Sequence, residues 1–558
     1  MLCVWSRRDS ISKTGLPEGH NTTPESHLLF VMLFGSFASD QFSVVRGIHV
    51  MQYRHKGQMF FRLFFIVMLF VCSATAVARE PEPVSGGSLV YAIPGTPDTL
   101  DPQMTTGTLT FQYMKSVYDT LIEPDESGNL VPALAESWEF DLDDLTLTFT
   151  LRRGVTFHNG DSLTAEDVKA TFDRMLSPDS LSPHQSKFEA LKNIDVLDDY
   201  TVQFVFSKPY VPFISTLASG WSAILPKSAI RNGHDFSAHP LGTGPFVFNE
   251  WVRDDHITFT RFPDYWMDGK PYLDRLEIKT VVESTTQLLG LTVGEFDIIH
   301  VLEPYNLPKV ENSPDTKVFS HPTALALVVA INNARAPFDN VSVRRALSHG
   351  IDRQALLDIA YTGGKKIEAF IDAESPYYLD LNEMYPYDPQ KAKDLLAEAG
   401  YADEIDVTLT LPQNYSQHVN AGNMVQNMLQ QIGIRAKIQL VDWGTWISRV
   451  YRDKDYDLTI IGHTGHLDPD GRLGGELGYT NYQNPEVFEL IEQAASTYLP
   501  KKRQSLYDRI QRIMAEDAAM VFIGTPLGLR GMRSNVYGFR MTYALDTPDF
   551  RDTFKVAE

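Results

Sequence analysis

The chain has 558 residues, enough for two or three domains with their own cores, and its composition is that of a globular protein, not a disordered one. A formal net charge of -22 excludes a general phosphate-backbone partner, so no nucleic-acid role is expected. Its only cysteines are Cys3 and Cys72.

The first predicted feature is a leader. From Met59 the chain reads MFFRLFFIVMLFVCSATAVARE: Arg62, an apolar run from Leu63 to about Val71, then small residues ending in Ala76-Val77-Ala78. This is the pattern of a secretory signal peptide over 59–78, cut before Arg79. The run is shorter than the roughly 20 apolar residues a membrane anchor needs. Residues 1–58 precede a complete signal, so translation is expected to start at Met51 or Met59, with 1–58 a non-native upstream extension. Val71 stands where a lipoprotein signal wants a small residue before Cys72, so no lipid anchor is expected. The mature chain would hold no cysteine, hence no disulfide and no thiolate nucleophile or metal ligand. Its charge would be about -25 after the loss of seven Lys/Arg and four Asp/Glu.

Residues 80–87, EPEPVSGG, read as a short lead-in. Residues 145–151, LTLTFTL, alternate strictly and predict a half-buried strand. FHNGDSL supplies an Asn-Gly turn, after which Thr164 and Asp167 predict a capped helix with Val168, Phe172 and Met175 inward. Further on, strands and helices alternate. YDPQKAKDLLAEAG has Asp388 as cap, Pro389 in the first turn and Gly400 as stop, with Ala392, Leu395, Leu396 and Ala399 on one face. DVTLTL (406–411) is a predicted strand. SQHVNAGNMVQNMLQQIG is a predicted helix with Val419, Met424, Val425, Met428 and Leu429 inward. IRAKIQLV (434–441) is a strand, a short helix carries Trp446, and YDLTIIG (456–462) is another strand. Such chaining predicts a mainly parallel sheet.

The stretch GHTGHLDPDG follows that last strand, where open α/β sheets hold their ligands. His463 and His466 could be a zinc pair with Asp468 as a third ligand, but a His-Glu-x-x-His helix is absent. The DPDG start of a calcium loop lacks the closing acidic residue. There is no Gly-x-Ser-x-Gly and no phosphate loop, and TGGKK at 362–366 reads as an ordinary loop. Trp221, Trp443 and Trp446 fall near predicted loops or strand ends, as suits a small organic ligand, whereas Trp138, Trp251 and Trp266 are better placed in cores.

Several long blocks carry a resemblance. PALAESWEFDLDDLTLTFTLRRGVTFHNGDSLTAEDVKATFDRM, HPLGTGPFVFNEW with DYW at 264–266, PFDNVSVRRALSHGIDRQAL, YDPQKAKDLLAEAGY and NPEVFELIEQAASTYLPKKRQSLYDRIQRIMAEDA come in that order. Together they resemble the extracytoplasmic solute-binding proteins, family 5, of peptide/nickel ABC importers, from about Gly86 to beyond Thr525.

The resemblance implies an α/β fold: a two-lobed, periplasmic-binding-protein-like clamp of type II, with mixed and parallel sheets and flanking helices. The N-terminal lobe would span 86–322 with an inserted subdomain at about 123–236. The second lobe would span 323–522, and 523–558 would return to the first. It implies a monomeric periplasmic protein that captures a solute, with oligopeptide as the leading class, and delivers it to permease subunits in the inner membrane. No catalysis and no cofactor are implied. Within the class, a metal chelate on His463 and His466 or an oligosaccharide on tryptophans stays open; a secreted metal-dependent hydrolase is the rival of another class. The implied ligand residues are Thr106, Thr108 and, with less support, His184 on one wall, and Gly462, His463 and Thr464 on the other, the latter pairing with a peptide as an added strand. Trp443 aligns with a pocket aromatic and Trp221 is taken as a further wall residue. Peptide-binding relatives use an aspartate where this chain has His466; Asp468 is the expected substitute, supplying the cleft's negative charge, unless the ligand has no free amine there. The alternative for Asp468 is a turn cap.

Overall fold

The computed structural model describes residues 81–557 apart from Leu142, Thr362, Asp403, Glu404, Gly475, Glu476, Ala544 and Leu545. The expected upstream extension, signal peptide and Cys72 lie outside the described residues.

Local chemistry fixes several elements as the sequence predicts. The Thr164/Asp167 capping box is formed at the helix Ala165–Leu176, and Val168, Phe172 and Met175 are buried beneath it. Asp388 accepts a hydrogen bond from the Lys391 backbone N–H at 2.9 Å to open the helix Pro389–Glu398. Leu147, Phe149 and Leu151 of the strand Thr146–Leu151 alternate into one core. This strand belongs to a four-stranded antiparallel sheet, Ala135–Asp141, Thr146–Leu151, Thr201–Phe206 and Leu191–Asp198 in spatial order.

A larger sheet runs through the rest of the molecule. Its order is Ile434–Val441, Ile405–Pro412, Leu458–His463, Ala326–Ile331, Val521–Arg533, Ile298–Ile299, Ser88–Ile93, Arg275–Thr280, His256–Arg261 and Phe246–Val252. Val521–Arg533 joins its two halves. The strand's start pairs with Ala326–Ile331, and its later part pairs with Thr316–Pro322, from Pro322 opposite Leu527 to Thr316 opposite Arg533. The register slips at Gly524, where a Cβ would stand 2.5 Å from the Lys365 carbonyl oxygen, so only glycine fits.

The strand ALVVAI (326–331) shows why it is apolar throughout. Leu327, Val329 and Ile331 enter one core, while Ala326, Val328 and Ala330 enter another on the opposite face. The expectation of a mainly parallel sheet needs adjustment. Ile405–Pro412 is parallel to both Ile434–Val441 and Leu458–His463, as crossover helices dictate, but Ala326–Ile331 runs antiparallel to both its neighbours. Its connections do not pass through a single crossover helix, so the parallel rule does not reach it.

The helix Ser416–Gln431 is also rotated from its predicted face. His418, Ala421, Gly422, Val425 and Leu429 are buried, Met424 and Met428 flank them, and Val419 is only partly covered. His418 takes an inward place because its Nδ1 meets the Tyr361 hydroxyl at 2.8 Å. A polar residue with a buried partner is invisible to an apolar count.

Candidate ligand-binding cleft

The strand Leu458–His463 points its carboxyl end at a cavity of about 400 Å³. Gly462 and His463 are still in the sheet, opposite Leu327 and Ala326. The His463 ring is buried, 2.9 Å from the Tyr479 hydroxyl through Nε2 and edge-on to Phe370. The cavity begins one residue later. Thr464, Gly465, His466, Leu467, Asp468, Asp470 and Gly471 form one wall.

Two buried arginines shape this loop. Arg472 donates to the carbonyls of Ala324 at 2.6 Å, Thr464 at 3.1 Å and Phe370 at 3.3 Å, which ties the loop's start to two neighbouring segments. Arg503 holds the loop's middle: its Nη2 donates to Asp468 at 2.9 Å, and its Nη1 to the Tyr377 hydroxyl at 2.7 Å. The Tyr507 hydroxyl donates to the same carboxylate at 3.2 Å. Asp468 also accepts from the Asp470 backbone N–H at 3.0 Å, the turn cap of the alternative reading.

Asp468 therefore lines the cleft but does not supply its uncompensated charge. A salt bridge of 2.8 Å to an arginine whose side chain is 4 % exposed neutralises it from behind. Asp470, two residues on, is different. Its carboxylate accepts from the Tyr210 hydroxyl at 3.0 Å, and no Lys or Arg among the described residues lies within ion-pair distance of it. Burial, and after it the Asp468 charge, raises its pKa above the usual carboxylate range, against the opposing pull of Tyr210, Arg503 and His466.

The opposite wall comes from the other half of the large sheet and the four-stranded subdomain. Thr106, Thr108 and Phe111 sit on and before the helix Thr108–Met114. Asp98 organises this segment by accepting from Thr105 at 2.9 Å and Thr110 at 2.5 Å. His184 Nε2 lies 2.7 Å from the Thr105 carbonyl, an acceptor only, so Nε2 carries the proton. Burial lowers the His184 pKa, and its ring stacks on Trp221 at 4.7 Å. The Lys187 ammonium stands 5.1 Å from the Trp221 ring, giving this wall a positive charge. Tyr210 closes the cleft against Asp470, and next to it the Val211 N–H donates to the Ala495 carbonyl at 2.7 Å.

Of the ten predicted ligand residues, Thr106, Thr108, His184, Trp221, Thr464, His466 and Asp468 come together around this cavity. Gly462, His463 and Trp443 do not line it. Trp443 stacks on Trp446 at 5.0 Å with a 6° angle between rings, 39 % exposed, on the far side of Trp446 and Tyr479. His463 does not line the cavity that His466 lines. Sequence reasoning missed Phe111, Lys187 and Tyr210. Asp470 stood in the DPDG stretch, but nothing in the sequence said which aspartate an arginine would neutralise.

Comparison with known proteins bears on this arrangement. The family described as bacterial extracellular solute-binding proteins, family 5 (middle), matches residues 129–484. The chain belongs to that family. It is 29 % identical over 520 residues to a di/tripeptide-binding protein 2 of Pseudomonas aeruginosa (strain UCBPP-PA14), covering 86 % of this chain and 96 % of the relative. It is likewise 29 % identical over 485 residues to a glutathione-binding protein of Salmonella choleraesuis (strain SC-B67), covering 84 % and 94 %. The structure matches the ABC transporter substrate-binding protein CtaP of Listeria monocytogenes with a TM-score of 0.79 at 26 % identity, over 85 % of this chain and all of that one. The fold is thus that of a solute-binding protein.

Proposed function

We propose that this solute-binding protein captures a short peptide in the cleft and hands it to the permease subunits of an ABC importer in the inner membrane, without catalysing a reaction on it. It would do so in the periplasm, exported by the signal at 59–78 and free of a lipid anchor. The observation that carries the ligand class is Asp470: a carboxylate facing the cleft with no Lys or Arg among the described residues at ion-pair distance. A ligand ammonium suits that carboxylate. The di/tripeptide-binding and glutathione-binding names of two relatives support a small peptide. Thr106, Thr108, His184, Trp221, Thr464 and His466 are the proposed lining; Gly462 and His463 act by carrying the loop.

The two walls belong to lobes that we place at 86–322, with the inserted subdomain at about 123–236, and 323–522, with 523–558 returning to the first. Thr316–Pro322 and Val521–Arg533 are the two paired strands by which the chain passes between them. Closure about these strands would bring Tyr210 onto Asp470.

The test is calorimetry with trialanine against N-acetyl-trialanine. The free peptide binds and the acetylated one binds at least roughly tenfold more weakly, the effect of losing a charged hydrogen bond. Equal affinities would remove Asp470 as the ammonium site. Native mass spectrometry of gently purified protein names the co-purified solute, and a sugar or a metal chelate there would end the peptide reading.

A further inference from the structure

Phe111 lies between two cavities. On one side is the cleft of about 400 Å³; on the other is a recess of about 50 Å³. Met114, Tyr118, Pro124, Ala218 and Ala223 give the recess an apolar lining. Its polar edge is already satisfied, for Lys115 and Glu123 there pair with each other at 2.7 Å. The Phe111 ring borders both spaces and is 5 % exposed.

The ring is held in that position from two sides. Gly220 packs directly on it, so closely that a Cβ there would stand 2.6 Å from the ring. Trp221, itself a wall of the cleft, meets it edge-on at 6.0 Å between ring centroids. Phe111 also projects from a helix, Thr108–Met114, whose next residue, Gln112, is tied by its side chain to the Asp546 carbonyl at 3.0 Å. The helix is anchored and the ring is wedged, so the partition is a fixed part of the wall.

We propose that Phe111 sets the size of the ligand side chain this cleft accepts: it closes off an apolar subsite that would otherwise take an aromatic or long aliphatic side chain. This rests on the peptide reading above. With the ring in place, a side chain entering from the cleft meets Phe111 and stops, so small side chains fit and bulky ones do not. With the ring shortened, the apolar recess opens into the cleft, and a bulky side chain gains buried contact with Met114, Tyr118 and Ala223.

The experiment is calorimetry of the full chain and its Phe111→Ala and Phe111→Leu variants with Ala-Ala, Ala-Phe and Phe-Ala. The wild-type protein favours Ala-Ala. In Phe111→Ala, the affinity of one Phe-containing dipeptide relative to Ala-Ala rises by roughly tenfold or more, the scale of burying an aromatic side chain. Phe111→Leu moves the ratio the same way by less, and decides the matter if the alanine variant does not fold. An unchanged ratio in a variant that melts like a folded protein overturns the proposal, as does a uniform loss for all three peptides. If the wild-type protein binds none of them, the peptide reading fails instead, and the partition is decided by 8-anilinonaphthalene-1-sulfonate. Folded Phe111→Ala or Phe111→Leu then binds that apolar dye and wild type does not; equal fluorescence from wild type and variant overturns the partition.

Discussion

Asp468 and Asp470 sit two residues apart on one turn, yet they face different regions of the molecule. Asp468 turns inward to a cluster of Arg503, Tyr507 and Tyr377, where Arg503 and Tyr507 both donate to its carboxylate. Asp470 turns toward the opposite wall of the cavity, where its bond partner is the neutral phenol of Tyr210. The same side chain is a counter-ion in one place and has no Lys or Arg partner among the described residues in the other. What differs is the company, not the residue: an arginine arriving from the helix Pro500–Glu516 has claimed one carboxylate and left the other.

The largest expected effect breaks the inner region. Asp468→Ala leaves a buried guanidinium with no counter-charge and should cost about 3–5 kcal/mol of stability. Urea melts read it directly. Adding Arg503→Met should recover part of that loss, since an apolar side chain has no charge to desolvate. If Asp468→Ala melts like the wild type, Arg503 is not relying on it and the contrast collapses.

Next comes the outer region. Asp470→Asn keeps the shape and the acceptor for Tyr210 but removes the charge. An ammonium-bearing ligand should then bind about 2–5 kcal/mol more weakly, with little change in stability. Intact affinity in this variant would move the ammonium site elsewhere in the cleft.

A third prediction uses pH. Burial and the neighbouring Asp468 raise the Asp470 pKa, so the folded protein keeps a proton that the unfolded chain has released. Asp470 therefore lowers stability as pH rises from the ordinary carboxylate range, near about pH 4, into its own higher range. Ligand affinity should run the opposite way over the same window, because only the ionised form attracts an ammonium. Asp470→Asn should abolish both slopes. Parallel trends in wild type would show that another group sets the pH dependence.

Tyr210→Phe is smaller. It removes the hydroxyl that bonds across the cavity to Asp470 and should weaken that contact by about 1 kcal/mol. X-ray scattering of ligand-free protein should show a larger radius for the variant; identical profiles would mean the bond does not hold the two cavity walls together.

How much of this was legible follows from what each feature depends on. The capping box at Thr164, the N-cap at Asp388 and the alternation of Leu147, Phe149 and Leu151 are local, and local rules place them. The cleft loop after Leu458–His463 follows from the position of a strand end. Phe111, Lys187 and Tyr210 lie in ordinary-looking helical or loop segments, and line the cavity only because segments far apart in the chain fold together there. The neutralisation of Asp468 depends on Arg503, 35 positions away, and no spacing rule pairs them.

The smallest expected effect concerns Trp443, and it sharpens where the cleft ends. The resemblance to relatives places an aromatic of the pocket there, but the ring stacks on Trp446 in solvent. Neither Trp443 nor His463 lines the cavity, and His463 pairs with Ala326 in the sheet. Trp443→Ala would lose one exposed stacking contact and an edge contact with Tyr415, about 0.5–1.5 kcal/mol of stability at most. Affinity for a peptide confined to the cavity of about 400 Å³ should not change. A longer peptide could run out along the carboxyl ends of the strands and reach the Tyr415/Trp443 pair. Comparing a dipeptide with a pentapeptide on this one variant separates the cases: a loss only for the pentapeptide would extend the site over the pair, and no loss for either confines the ligand to the cavity that Asp470 and Phe111 border.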